Sequence, residues 1–358
     1  MKTIKVAFCT KPLHSGHSVR GVGYYARNIL ENLKSLDDVE VEEFEDISKI
    51  KKADVVHYPW FDLFNRTLPI NKRFPTIVTV HDVIPLLYPD QYPPGIKGRL
   101  NFALQKIALI SCKYIITVSE ASKKDIENYL KVRKEKIIVT YEAANENFKI
   151  QPDSKQLKIR RKFNLPERFL LYVGDANFNK NTPMLIEGFR KLKSLPEFKD
   201  LKLVLIGNVF LKKPENINHP ELESLKKTLS LITEYKLENE VIIPGQLETD
   251  ELAAVYNLAL VYVQPSLYEG FGLPVLEAMS CGVPVVSSDS PALKEIGGEA
   301  VVYFNPKDLN SFVDCLKSVL QNRSIQDKLS KSGLNRASRF SWENTADETI
   351  KVYKQSLQ

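Results

Sequence analysis

Long apolar runs are missing from this 358-residue chain. No stretch approaches the roughly 18 consecutive apolar residues of a membrane span, and the N-terminus MKTIKVAFCT is too short and too strand-like for a signal peptide. A cytoplasmic protein is the expectation, with peripheral contact at the inner membrane face as a variant of it. Cysteine is scarce: Cys9, Cys112, Cys281 and Cys315 are widely separated and show no metal-ligand or redox spacing, so they read as buried thiols. No block of basic residues is interleaved with aromatics, which argues against a nucleic-acid partner despite a net charge of +6. A phosphate-bearing substrate or an anionic membrane surface accounts for that surplus, as does a solvated surface.

What remains is the composition of a soluble globular protein, 43% hydrophobic and 26% charged. The length exceeds what one core supports, so two domains are expected. The first half alternates strand and helix signals. KTIKVAFC leads through a turn at Arg20-Gly21-Val22-Gly23 into a helix reaching Lys34. Strand candidates follow at Ala53 to Tyr58, Thr76 to His81 and Tyr114 to Ser119, and Ser122-x-x-Asp125 reads as the capping box of a helix through Leu130. A second cycle has strands at Phe169 to Gly174, Leu201 to Gly207, Val241 to Pro244 and Leu260 to Gln264, with helices at Thr182 to Leu192 and at Asp250 to Leu258, the latter with Asp250 as a cap. This order predicts two α/β domains, each a doubly wound, Rossmann-like parallel sheet. The polar stretch 147–167, with prolines at 152 and 166, marks a boundary that gives domains 1–150 and 151–341.

The most specific segment runs from Gln264 to Ser288, QPSLYEGFGLPVLEAMSCGVPVVSS. Two carboxylates, Glu269 and Glu277, flank a turn containing Gly270 and Gly272. Pro274 suits a first helical turn, Gly282 a helix stop, and Val283 to Val286 the next buried strand. Backbone N–H groups from about Gly272 to Val275 at such a helix start attract an anion such as a diphosphate. The carboxylates accept hydrogen bonds from sugar hydroxyls. Either feature alone is ordinary structure, since a helix-start carboxylate serves the helix dipole and a Gly-x-Gly turn joins elements. Together, at this spacing, they point to a ligand bearing both phosphates and hydroxyls.

The segment resembles the signature of the retaining glycosyltransferase family of GT-B fold, called family 4 or group 1, in which a Glu is followed by seven residues and a second Glu. The resemblance implies two Rossmann-like domains facing a central cleft, with the last helix, 342–358, crossing back to the first domain and anchored by Trp342 and Tyr353. It places Glu269 by the transferred sugar and Glu277 on the ribose, with the amides of Gly270, Phe271, Gly272 and Leu273 on sugar hydroxyls and phosphate oxygens. The implied reaction moves a sugar from a nucleotide-diphosphate sugar, a co-substrate, to a glycan or lipid-linked acceptor. It needs no cofactor and no metal, and mannose is the preferred donor sugar.

Other residues join by the same resemblance. Gly21 and Gly23 match a first-domain glycine loop, although alone they lack the third glycine of a dinucleotide fingerprint. His81, at the carboxyl end of TIVTVHD, is expected to hydrogen-bond a donor hydroxyl as part of the catalytic set, although a His-Asp pair can simply satisfy itself. Lys180 corresponds to the lysine of a phosphate clamp. The clamp's arginine has no counterpart, since Asp175 follows Gly174 and Asn179 precedes Lys180. VIIPG at 241–245 resembles the loop framing the base, and Ser119 and Glu120 read as either cleft or turn residues. His14, His17, His57 and His219 read as structural or surface residues. The basic amphipathic stretch 95–110 is expected to pack on its own domain, with an anionic membrane as the alternative. Three rival functions remain open: a same-fold sugar-nucleotide epimerase, a glycoside hydrolase using the two glutamates, and a non-catalytic sugar-nucleotide-binding subunit.

Overall fold

In a computed structural model that describes residues 3–14 and 21–358, the chain divides into two compact units, Met1–Ala143 with Phe340–Gln358, and Ala144–Arg339. Arg20 and His17 of the expectations above lie outside the described residues.

The first unit holds six strands, β1 (Ile4–Cys9), β2 (Val39–Phe44), β3 (Val55–Tyr58), β4 (Thr76–Thr79), β5 (Tyr114–Thr117) and β6 (Ile137–Val139). They pair in parallel in the order β2-β1-β3-β4-β5-β6. The period of two sorts β1 between two layers. Val6 and Phe8 pack with Tyr25, Ile29 and Leu33 of helix Gly21–Lys34 and with Trp342, Ile350 and Tyr353 of helix Trp342–Ser356. Ala7 and Cys9 face the other layer, with Val56, Val78 and Leu109. The C-terminal helix is thus part of the first unit's core.

The second unit repeats the plan with β7 (Phe169–Val173), β8 (Lys202–Ile206), β9 (Val241–Gly245), β10 (Val261–Gln264), β11 (Val285–Ser288) and β12 (Val302–Phe304). Their order is β12-β11-β10-β7-β8-β9, again parallel. Renumbered within the unit this is the doubly wound Rossmann order, whose direction of winding reverses between β7 and β10. Its core includes Leu170, Tyr172, Phe189, Leu203, Val263 and Phe312.

Three strands that the sequence pattern did not single out, β2, β6 and β12, all lie at sheet edges. An edge strand is covered less and needs a weaker apolar signal, as in VEVEEF, where glutamates alternate with apolar residues. Ser122 does not cap a helix. Ser119 does, its hydroxyl accepting from Ser122 N at 3.0 Å, because the extended backbone at the end of ITVS aims Oγ back at the first turn. That helix, Glu120–Asp125, passes into a π-turn, Ile126–Leu130. Asp250 likewise sits inside the first turn of helix Thr249–Leu258, which starts after Glu248. The segment 147–167 folds with the second unit. Residues 153–162 form a helix, Phe148 stacks edge-on against Tyr256, and Gln151 N donates to Asn257 Oδ1. The compact units meet in sequence at 143/144.

Candidate active site

At the winding reversal of the second sheet, the loops leaving β7 and β10 lie side by side, the place where such sheets hold ligands. The β7 loop passes Gly174, which has φ +142°, and makes a short 3-10 turn at Phe178–Lys180. Asn179 and Asn181 tie this loop to the other one. Asn179 Nδ2 donates to Tyr268 O at 3.0 Å, Leu267 N donates to Asn179 O at 2.7 Å, and Asn181 Nδ2 donates to Pro265 O at 3.1 Å. The residue that looked like a gap in the phosphate clamp, Asn179, is therefore a structural tie.

That tie brings Lys180 to Glu269. The ammonium donates to both carboxylate oxygens, at 2.8 Å and 2.9 Å. Glu269 is buried, and its Oε1 also accepts from Gln264 Nε2 at 2.9 Å and from Ser266 Oγ at 2.6 Å. Gln264 is itself fixed by the Tyr262 phenol. Among the described residues three donors converge on Oε1 while Oε2 takes the lysine alone, so Oε2 retains capacity for a further hydroxyl. The sequence reading missed Gln264 and Ser266. Their signal was a pair of polar residues two apart at the end of an otherwise apolar strand.

From Glu269 the chain turns through Gly270, Phe271 and Gly272 into helix Leu273–Ser280. Gly272 has φ +114°, and a Cβ there would come within 2.5 Å of Leu293 Cδ2, so both conformation and space call for glycine. The expected run of free amides is shorter than 272–275. Pro274 has none, and Val275 N donates to Gly272 O at 2.9 Å because the first turn is tight. Among the described residues no hydrogen bond ties the amides of Gly272 and Leu273 at this start.

Glu277 lies one turn into the same helix, buried, and its Oε2 accepts from Tyr256 OH at 2.9 Å. Desolvation pushes its carboxyl up to about 7, only partly opposed by the phenol. Tyr256 was another residue the sequence pattern gave no reason to name.

In the first unit, His81 lies beyond the end of β4. Its Nδ1 is 3.2 Å from Glu142 Oε1, its Nε2 is 3.2 Å from Pro59 O, and its ring meets Tyr25 edge-on at 4.7 Å. The neighbouring Asp82 accepts from Ile84 N at its Oδ1, at 2.9 Å. Below this pair runs a buried chain. His57 Nδ1 is 2.7 Å from Tyr353 OH, His57 Nε2 is 2.9 Å from Thr79 Oγ1, and Thr79 Oγ1 is 3.1 Å from Tyr25 OH. Burial drives the His57 ring down to about 3, so it stays neutral and structural. Gly21 and Gly23 fall within the first turn of helix Gly21–Lys34, and a Cβ at Gly21 would meet nothing within 4 Å. Ser119 is a helix cap rather than an exposed polar group. Cys9, Cys112 and Cys281 are buried and Cys315 partly so.

Among the described residues no group of three or more His, Cys, Asp or Glu side chains is arranged to hold a metal ion. A cavity of about 490 Å³ lined by Lys11, Tyr58, Arg66 and Gln105 lies in the first unit and touches neither the Lys180–Glu269 pair nor Glu277.

The family model described as Glycosyl transferases group 1 matches residues 153–336, and that described as Glycosyltransferase Family 4 matches residues 41–147. The chain is 28% identical to the serotype-specific mannosyltransferase WbdA of Escherichia coli over 302 residues, 83% of this chain but 36% of that protein. It thus spans about a third of that relative's length. It is 29% identical to the O-antigen chain mannosyltransferase B of Escherichia coli, over 78% of this chain and 70% of the relative. The sucrose-phosphate synthase of Thermosynechococcus elongatus superposes with a TM-score of 0.74 at 20% identity, covering 98% of both chains. That likeness, with the two parallel six-stranded sheets, gives the GT-B fold.

Proposed function

The chain belongs to the glycosyl transferases group 1 family, and from that membership we propose that it is a retaining, metal-independent glycosyltransferase moving mannose from a nucleotide-diphosphate sugar to a glycan or lipid-linked acceptor. The choice of mannose rests on the two mannosyltransferase relatives. The observation that carries the reading is the Lys180–Glu269 pair, held between the β7 and β10 loops beside a glycine-started helix.

In this reading Glu269 orients the sugar and does not attack it. Oε1 is saturated by Lys180, Gln264 and Ser266, which lowers the carboxylate's nucleophilicity and fixes its plane, while Oε2 accepts a sugar hydroxyl. The acceptor oxygen attacks the anomeric carbon from the face the diphosphate leaves, and the leaving phosphate takes the acceptor proton. Charge growing on that phosphate is met by Lys180 and by the amides of Gly272 and Leu273, donors already in place before the bond breaks. Glu277 accepts the ribose hydroxyls. His81, steadied by Glu142, gives a substrate hydroxyl a partner by exchanging its contact with Pro59 O.

The test is transfer from guanosine-diphosphate mannose, alongside other nucleotide sugars, to a panel of mannose-terminated acceptors. Transfer with retained anomeric configuration in the presence of a chelator is expected. If Glu269→Ala and Lys180→Ala proteins fold normally and keep full transfer, the assignment of the site is wrong.

A further inference from the structure

Helix Gly95–Ile110 is built inside out. Its buried side carries Gly98, Asn101, Gln105, Ala108 and Leu109, and the two polar residues there act as clamps. Asn101 Nδ2 donates to Phe64 O at 2.9 Å, and Gln105 Oε1 accepts from Thr67 N and Leu68 N, both at 3.0 Å. The opposite side is apolar and open. Ile96 is 92% exposed, Leu100 60%, Ile107 54% and Ile110 59%. With 100° per residue these four, and the exposed Ala103, fall in an arc of about 80°. A single exposed isoleucine is ordinary, but a spaced stripe along four turns is not. The helix packs on its own domain as expected, through Ala108 and Leu109 in the core and through the polar clamps Asn101 and Gln105, but a second apolar stripe is left outside.

Charge narrows what covers the stripe. Lys97, Arg99 and Lys106 flank it, the helix has no acidic residue, and among the described residues none of the three cations pairs with a carboxylate. Lys113 lies just beyond its end, and exposed Ile70 is joined to that end through the Ser111 hydroxyl. Two copies meeting through this face would oppose like charges. An anionic bilayer satisfies both features, taking the isoleucines at the acyl boundary and the cations at the headgroups. The helix is 16 residues long, and no described helix is long and apolar enough to cross a membrane. We propose that this face docks the protein on an anionic lipid surface, the helix lying in the plane of the interface. The proposal stands apart from the transfer reaction.

The experiment is flotation of the full chain with phosphatidylcholine vesicles, with and without phosphatidylglycerol. Binding to the anionic vesicles at least roughly tenfold tighter than to neutral ones, and weakened by salt, is expected. The variant Ile96→Ser/Leu100→Ser/Ile107→Ser removes exposed groups only, so its melting curve should match the parent while vesicle affinity falls by roughly tenfold or more. Lys97→Glu/Arg99→Glu should lose affinity at low salt by at least roughly fivefold per cation. Three results overturn the proposal: no binding of the parent chain to anionic vesicles, unchanged binding of the triple-serine variant, or a dimer that the serine changes dissociate while vesicle binding stays absent.

Discussion

In the second unit the candidate site is assembled from two loops leaving neighbouring strands, β7 and β10, and its central ion pair joins residues 89 apart in sequence. In the first unit the buried polar chain draws on β3, β4 and a helix from the far end of the protein, with His57 and Tyr353 separated by 296 residues. Among the described residues the first arrangement leaves an acceptor oxygen with one donor and two amides without a hydrogen bond. The second uses both nitrogens of its histidine internally. The difference separates a polar cluster proposed to meet a ligand from one whose partners are all internal, and each kind of cluster should fail differently when broken.

Glu269→Ala gives the sharpest break. On the proposed reading it removes a sugar contact and leaves Lys180 without its carboxylate, so transfer should fall by about a thousandfold, the scale of losing a preorganised electrostatic partner. Lys180→Ala should approach the same loss, and the double variant should be little worse than either single one, because residues that act as a unit are not additive. Steady-state kinetics on all three, with circular dichroism to check folding, decides this. Strictly additive losses would mean that the pair does not work as a unit.

Glu277 and His57 extend the comparison to pH, since burial shifts both but in opposite senses. Glu277 is pushed up to about 7, so between its unfolded value and about 7 the folded state binds the extra proton and stability falls as pH rises. If Glu277 accepts ribose hydroxyls as a carboxylate, donor binding should strengthen as pH rises through about 7. It should weaken by about tenfold per unit below that. Calorimetric titration across this range checks the point, and Glu277→Gln should give a flat profile. A Gln variant that keeps the slope would move the titrating group elsewhere.

The sequence made the second unit's site legible because its chemistry is local. Glu269, Gly272 and Glu277 lie within nine residues, and the helix start between them is written in Gly272 and Pro274. The partners that complete the site carry a weaker mark, even where they are as close in sequence as Gln264 and Ser266 are to Glu269. Gln264 and Ser266 look like the end of a strand, and Tyr256 like an apolar residue of helix Thr249–Leu258. Glu142 follows β6, an edge strand too short to stand out, so its pairing with His81 had no sequence signal. Helix Gly95–Ile110 was located residue for residue and packs on its own domain through Ala108 and Leu109, but a pattern that equates apolar with buried gives no sign that Asn101 and Gln105 face inward while Ile96, Leu100, Ile107 and Ile110 stay outside.

Gly272→Ala tests the helix start alone. With φ at +114° and Leu293 Cδ2 within 2.5 Å of the new methyl, the strain should cost about 1–3 kcal/mol. Leu293→Ala should relieve the clash but not the backbone term, so the double variant should recover stability only in part in denaturant unfolding. Full recovery would show that space alone, and not conformation, selects glycine here.

Tyr353→Phe probes the other side of the comparison and should be the mildest change. It deletes only the hydroxyl at 2.7 Å from His57 Nδ1, leaving that buried nitrogen unsatisfied at a cost of about 1–2 kcal/mol, with transfer activity at saturating substrate nearly unchanged. His57 itself is held down to about 3 while the unfolded ring titrates near 6.5. Between those values the unfolded chain binds the extra proton, so this group's contribution is whole above about 6.5 and is lost at about 1.4 kcal/mol per pH unit on acidification. Melting curves of the parent and of Tyr353→Phe from neutral to mildly acidic pH should both show that decline. A His57→Gln protein should lose it, and if acid sensitivity survives that change unaltered, the proton enters the first unit at another group.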